Sequence, residues 1–145
     1  MTASAYEPID LGPMTITFSI LGEDSGGAMT VSRCDVDDGA GLPVPHFHDA
    51  FEEAIYGLEG VTTFTVNGED IEVGPGEAYC IRRGAVHTFE AKNGATSFVA
   101  IATPGIFGPD YFIELQDALR AGGENGPDPR AVGEVMLRHG LTPVA

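Results

Sequence analysis

The chain has 145 residues, of which 43% are hydrophobic, and this suits a single domain with its own core. Seven basic and 22 acidic side chains give a formal net charge of −15, so nucleic acid and anionic membrane surfaces are excluded as expected partners. No secretory leader or bilayer-spanning segment is evident and there are only two cysteines, so we expect a cytoplasmic protein without a disulfide framework.

Twenty glycines and ten prolines indicate many short strands joined by tight turns. Residues 1–13 are predicted to form an irregular arm or an edge strand. Residues 14–21 alternate strictly between apolar and polar, which is typical of a strand with one buried face. Residues 28–36 are predicted to be a second strand. The Gly- and Pro-rich stretch 37–45 is predicted to be a loop.

Six further strands are predicted between short Gly-containing turns: residues 53–58, 61–66, 69–73, 78–82, 86–91 and 95–103. Asn67 and Gly68 predict a two-residue type I′ hairpin turn, because both residues accept a positive φ. Asn93 and Gly94 form a second candidate for the same turn. Cys80 falls in an apolar strand, and we expect its side chain to be buried.

Two helices are predicted after Pro104. The first begins near Pro109 and carries apolar side chains at helical spacing, and the second is capped by Asp128 and ends before Gly140. We interpret their apolar stripes as packing surfaces rather than as a substrate lid, and His139 is not counted as a ligand. The pattern predicts an all-β antiparallel barrel or jelly roll with two short C-terminal helices.

Four residues predict a metal site. His46 and His48 lie two positions apart, so on a strand both imidazoles point to the same face. Glu53 is expected to return from the next strand of the same sheet, and His87 follows a second Gly-rich segment. Three imidazoles and one carboxylate can surround a divalent transition metal and leave positions open for water or substrate. A single His-x-His pair would be a weak signal, but the four-residue combination favours metal binding over a structural role.

The same residues carry a family resemblance. His46, His48, Glu53 and Gly60 satisfy the spacing H-x-H-x(4)-E-x(6)-G, which resembles the first sequence motif of the cupin superfamily. Gly41 stands one residue closer to His46 than the usual pattern has it. The resemblance extends over about residues 14–104.

The second cupin motif is matched by Gly76, Gly84 and His87, whereas Arg82 replaces its proline and Ala91 its asparagine. Neither replacement falls on a predicted metal ligand. The spacing between the two motifs resembles that of small single-domain cupins related to quercetin 2,3-dioxygenase. The chain is therefore interpreted as one cupin domain over residues 1–145, with a barrel at 14–104 and a helical segment at 105–145.

The resemblance implies a cupin barrel in which His46, His48, Glu53 and His87 point inward and hold one divalent transition metal. The metal would be Fe, Mn, Ni, Co, Cu or Zn. The resemblance also implies a homodimer, a small-molecule substrate that coordinates through a deprotonated oxygen, and O₂ as co-substrate. Glu53 would then act both as a ligand and as the general base that takes the substrate proton.

Three functions follow as hypotheses. The first is a dioxygenase acting on a small hydroxylated aromatic or enolisable substrate, which suits the apolar neighbours expected at Ile55, Phe64 and Phe89. The second is a non-oxidative cyclase or isomerase that uses the metal as a Lewis acid. The third is a non-catalytic module that binds a metal and a metabolite. Arg82 and Arg83 would meet an anionic substrate or, as we prefer, form a solvated charge pair.

Overall fold

The structure is a computed structural model that describes residues 3 and 5–144. Over these residues the chain forms ten strands, then two α-helices, α1 (Pro109–Ala121) and α2 (Pro129–Arg138), and then an eleventh strand. The strands are β1 (Ile9–Asp10), β2 (Met14–Ile20), β3 (Thr30–Val36), β4 (Gly41–His48), β5 (Glu52–Glu59), β6 (Thr62–Val66), β7 (Glu69–Val73), β8 (Ala78–Ile81), β9 (His87–Glu90), β10 (Thr96–Thr103) and β11 (Leu141–Pro143).

The strands form two antiparallel sheets, as the pattern of short alternating strands predicts. One sheet has six strands in the order β1-β2-β3-β10-β5-β8, and the other has five in the order β11-β4-β9-β6-β7. Apolar side chains from both sheets meet in a common core, among them Phe18 and Ile55 from the first and Phe64 from the second. The architecture confirms the predicted barrel or jelly roll with two C-terminal helices.

The hairpin predicted at Asn67 and Gly68 is confirmed. Both residues have positive φ, 49° and 85°, and β6 pairs with β7 from Val66 opposite Glu69. The second hairpin prediction, at Asn93 and Gly94, is wrong. Of these two only Gly94 has a positive φ, and the strands on either side, β9 and β10, belong to different sheets. The chain crosses between the sheets here instead of turning back on itself.

The loop predicted over residues 37–45 is also wrong, because β4 already begins at Gly41. Gly41 allows this strand to lie against β9. A Cβ atom at this position would lie 2.1 Å from the carbonyl oxygen of Phe89 and 2.8 Å from the Cα atom of Glu90. The predicted burial of Cys80 is wrong as well, since its side chain is exposed. Sequence reasoning missed β11, which pairs with β4 and places Leu141 opposite His48.

The two helices begin where their capping residues predict. The Asp128 carboxylate accepts a hydrogen bond from the Arg130 amide at the start of α2, with Pro129 in the first turn. Helix α1 buries Tyr111 and Leu115, and its Phe112 ring lies 5.8 Å from that of Phe18 in the six-stranded sheet. Within the described part of the chain, neither helix has the length and apolar character needed to cross a membrane.

Candidate metal centre

The four predicted ligands come from three strands. His46 and His48 lie on β4, and His87 lies on β9 directly opposite His46. Glu53 lies on β5. We expected Glu53 on the next strand of the same sheet, but β5 belongs to the six-stranded sheet and the histidines to the five-stranded one. The carboxylate therefore reaches the imidazoles across the interior of the barrel.

Three of the four side chains converge closely. One potential ligand atom from each of His48, Glu53 and His87 lies within 4.8 Å of the other two. The Glu53 Oε2 atom is 3.4 Å from Nε2 of His48 and 3.7 Å from Nε2 of His87. Both imidazoles are almost fully buried, and the Glu53 side chain is 18% exposed. A site of this kind, with neutral imidazoles and one carboxylate, suits a divalent transition metal.

His46 stands beside this cluster rather than within it. Its ring centroid lies 4.4 Å from that of His87 and 6.3 Å from that of His48, and its side chain is buried. The fourth predicted ligand therefore belongs to the same wall of the cavity, although the structure brings only His48, Glu53 and His87 into one close group.

Each imidazole is held at Nδ1 by a backbone carbonyl of its own chain segment. The distance from Nδ1 to the carbonyl oxygen is 3.0 Å between His46 and Val44 and 3.0 Å between His48 and Phe51. It is 2.9 Å between His87 and Ala85. A carbonyl only accepts, so Nδ1 carries the proton in each contact and the lone pair of a neutral ring lies on Nε2. This arrangement orients metal-binding imidazoles.

One buried nitrogen of the cluster has no hydrogen-bond partner among the described residues. This atom is Nε2 of His48, and a carboxylate oxygen faces it. Two acceptors that face each other in a dry interior are unfavourable unless a cation lies between them. The residues therefore fit a bound metal ion.

Electrostatics keep Glu53 and His46 in the forms that bind cations. Burial raises the pKa of Glu53, but the His48 and His87 imidazoles outweigh it and leave this pKa well below its usual range. Burial, reinforced by His87, lowers the pKa of His46 to about 4. Burial also acts to lower the pKa of His87, but the Glu53 carboxylate raises it overall. At neutral pH the site therefore holds an ionised carboxylate and a neutral His46.

The cluster opens onto a cavity of about 70 Å³ inside the barrel. Its wall is mainly apolar and includes the predicted neighbours Ile55, Phe64 and Phe89. Sequence reasoning missed three kinds of lining residue: Cys34 from β3, Tyr111 from α1 and the β11 residue Leu141. A tyrosine within the apolar stripe of a helix is a usable signal, because its polar tip needs a partner when the ring is buried.

The arginine pair lies outside this cavity. Arg83 donates two hydrogen bonds of 2.8 Å to the Glu52 carboxylate, one from its backbone amide and one from Nε. The Nε atom of Arg82 lies 3.8 Å from the same carboxylate. The Arg82 side chain is 81% exposed. This arrangement favours the solvated charge pair over a substrate contact. Glu52 therefore faces outward and Glu53 inward on the same strand.

Comparison with known proteins gives both a family and individual relatives. The family model described as "Cupin domain" matches residues 32–102. Over 74 residues the chain is 32% identical to quercetin 2,3-dioxygenase of Bacillus subtilis (strain 168). This match covers 51% of the chain but only 22% of that enzyme, so the chain corresponds to about a fifth of its length.

Two solved structures extend the comparison. The polyketide cyclase RemF from Streptomyces resistomycificus is 30% identical, with a TM-score of 0.57 over 70% of this chain and 73% of RemF. KdgF from Halomonas sp. is 17% identical, with a TM-score of 0.60 over 68% of this chain and 86% of KdgF. The second similarity supports the shared fold alone.

Proposed function

We propose that this chain, which belongs to the cupin superfamily, is a metal-dependent enzyme acting on a small oxygen-bearing molecule. The observation that carries the proposal is the buried Nε2 atom of His48, which has no hydrogen-bond partner among the described residues and lies 3.4 Å from the ionised Glu53 carboxylate. His48, Glu53 and His87 would hold the metal, with His46 as the fourth ligand. A bound divalent metal would polarise a substrate oxygen, and a redox-active one would also supply dioxygen chemistry.

Glu53 is the residue we assign to proton transfer. Its carboxylate is ionised, lines the cavity and lies beside the Nε2 atoms of His48 and His87. A substrate hydroxyl or an acidic C–H group placed at the cluster would lie within reach of its free oxygen. Removal of that proton gives an enolate or phenolate oxygen, the form in which a hydroxylated or enolisable substrate binds a metal best.

The size of the cavity limits the substrate. About 70 Å³ corresponds to about two water molecules at roughly 30 Å³ each, whereas sites for drug-sized ligands measure roughly 300–1,000 Å³. A multi-ring substrate would have to displace Tyr111 or other wall residues. The geometry therefore favours the smallest enolisable or hydroxylated substrates, and the apolar wall favours an uncharged body.

The preferred reaction is a dioxygenation, which the sequence similarity to quercetin 2,3-dioxygenase supports over half of the chain. A non-oxidative cyclisation or isomerisation is the second candidate. The similarity to the polyketide cyclase RemF favours it, because that match covers more of both chains. Either reaction would use the same metal-binding side chains, so the identity of the bound metal would distinguish the two reactions. The homodimer and the cytoplasmic location that the sequence predicts stay predictions.

The first experiment is metal analysis of the purified protein, followed by oxygen-consumption assays with small diketones and catechol-like phenols. We expect Fe, Mn, Ni, Co or Cu at one equivalent per chain and oxygen uptake with at least one substrate. The Glu53→Gln variant should lose turnover. Zinc alone, with substrate conversion but no oxygen uptake, would favour the cyclase or isomerase. A protein that binds no divalent metal would exclude the whole proposal.

A further inference from the structure

Tyr111 contributes a polar group to the cavity that the barrel residues alone do not supply. It lies in the first turn of α1, its side chain is 2% exposed, and it lines the same cavity as His48, Glu53 and His87. Its hydroxyl has no hydrogen-bond partner among the residues that the structure describes. Helix α1 thus places one orphaned hydroxyl at the site.

Packing accounts for the ring of Tyr111 but not for its hydroxyl. The ring centroid lies 5.3 Å from that of Phe107, 4.9 Å from that of Phe112 and 5.6 Å from that of His139. A phenylalanine ring would make the same contacts and would bury no unpaired oxygen. Because an unsatisfied buried hydroxyl destabilises a fold, a molecule in the cavity that accepts a hydrogen bond from Tyr111 would relieve this cost.

The chemistry of the hydroxyl makes it a donor. Burial, and then the Glu53 carboxylate, raise the pKa of Tyr111 well above its usual range, so it stays protonated at neutral pH. A protonated phenol offers one hydrogen to an acceptor. The nearby carboxylate disfavours a second anion, so the acceptor that suits this position is a carbonyl, enol or hydroxyl oxygen.

We propose that Tyr111 is a substrate-binding residue whose hydroxyl donates a hydrogen bond to an oxygen of the small molecule held at the metal cluster. The inference rests on the proposed function and deepens it, because it defines the substrate class. The substrate carries an oxygen that meets the His48–Glu53–His87 cluster and an acceptor oxygen that Tyr111 reaches. Small hydroxycarbonyl and 1,3-dicarbonyl compounds have this pattern.

The test compares Tyr111→Phe with the wild-type protein and with Tyr56→Phe, a matched change at a half-exposed tyrosine that does not line this cavity. Each protein is loaded with Co²⁺, and the probe is acetohydroxamate, a compact ligand that binds metals through oxygen. The change in Co²⁺ absorption gives the dissociation constant of the probe. Co²⁺ affinity and the melting temperature of the probe-free protein are measured separately.

We expect Tyr111→Phe to bind acetohydroxamate about tenfold more weakly than wild type, because one hydrogen bond is lost. Its Co²⁺ affinity should be unchanged, and its melting temperature unchanged or higher, because an unpaired buried oxygen has been removed. Tyr56→Phe should match wild type in all three measurements. A purely structural role for Tyr111 would instead lower the melting temperature of its variant and leave probe affinity unaltered.

The outcomes separate this inference from the proposed function. A wild-type protein that fails to bind Co²⁺ contradicts the proposed function itself. A Co²⁺-loaded protein that binds the probe equally well with Tyr or Phe at position 111, or that does not bind the probe at all, overturns only the role of Tyr111.

Discussion

All three imidazoles of the cavity are oriented in the same way, by a hydrogen bond from Nδ1 to the backbone carbonyl of a residue nearby in the sequence. For His46 and His87 the carbonyl belongs to the residue two positions earlier in the chain. For His48 it belongs to the residue three positions later. Because these partners are local, the backbone of β4 and of the segments next to β4 and β9 orients each ring without a bound metal. Such preorganisation lowers the entropic cost of metal binding.

His48→Ala tests the cluster at the scale of one residue. It removes a buried imidazole that we propose as a ligand, so we expect metal affinity, measured by competition with a chromogenic chelator, to fall at least about 100-fold. His139→Gln is the matched control, since His139 is the one histidine outside the cavity wall and should leave metal affinity unchanged. Equal affinities in both variants would show that His48 is not a ligand.

At the scale of elements, the site depends on how closely β4 lies against β9. Gly41↔Glu90 and His46↔His87 are paired positions on these strands, and the register shifts between them. The missing side chain at Gly41 lets the two backbones meet at one end of the ladder, while the imidazoles meet at the other. A glycine at the opposite end of this strand pair therefore contributes to the placement of His87.

Gly41→Ala should lower the free energy of unfolding by roughly 1–3 kcal/mol, because the new methyl group meets rigid backbone atoms of β9. Gly133→Ala provides a contrast within α2. No atom lies within 4 Å of the added methyl group there, so the change should raise the free energy of unfolding by about 0.5–1 kcal/mol. Urea unfolding of both variants measures the two changes in the free energy of unfolding, which we expect to have opposite signs.

Two polar contacts at the Glu114 carboxylate of α1 join the helices, one with Nε2 of His139 after α2 and one with Arg138 of α2, whose Nη2 atom lies 3.8 Å away. The hydrogen bond from His139 lowers the pKa of Glu114 below its usual value of 4.5. A carboxylate with a depressed pKa in the folded state stabilises the fold above its unfolded pKa, and this stabilisation is lost as the pH falls through the folded pKa.

Glu114→Gln should therefore reduce the acid sensitivity of the protein. Between about pH 6 and about pH 3 the melting temperature of the wild type should fall further than that of the variant, because only the wild type protonates this group. Melting curves at stepped pH measure the difference. Parallel curves for both proteins would show that the contact does not contribute to stability.

At the scale of the whole molecule, the site connects the two sheets. Glu53 belongs to the six-stranded sheet and His48 and His87 to the five-stranded one, so a metal bound to all three links both halves of the barrel. Helix α1 and strand β11 close the cavity from segments that follow the barrel in the chain. The barrel and the C-terminal segment therefore share one cavity.

Sequence patterns predict what is local in this molecule. Strict alternation predicts β2, the Asn67–Gly68 pair predicts its hairpin, and the spacing of four polar residues places them in one cavity. Features that depend on distant segments were not predictable. The sheet that carries Glu53 is set by its pairing with β10, and β11 gains its strand conformation only by pairing with β4.

The two thiols of the chain lie in different environments. Cys34 is buried in the cavity wall and burial raises its pKa well above the usual range, whereas Cys80 is exposed. Only a thiolate reacts with iodoacetamide, so mass spectrometry should find Cys80 labelled rapidly and Cys34 slowly. Cys34 would be labelled only when the interior of the barrel becomes accessible to solvent. The rate of its labelling would therefore measure how often the cavity opens far enough to admit a substrate.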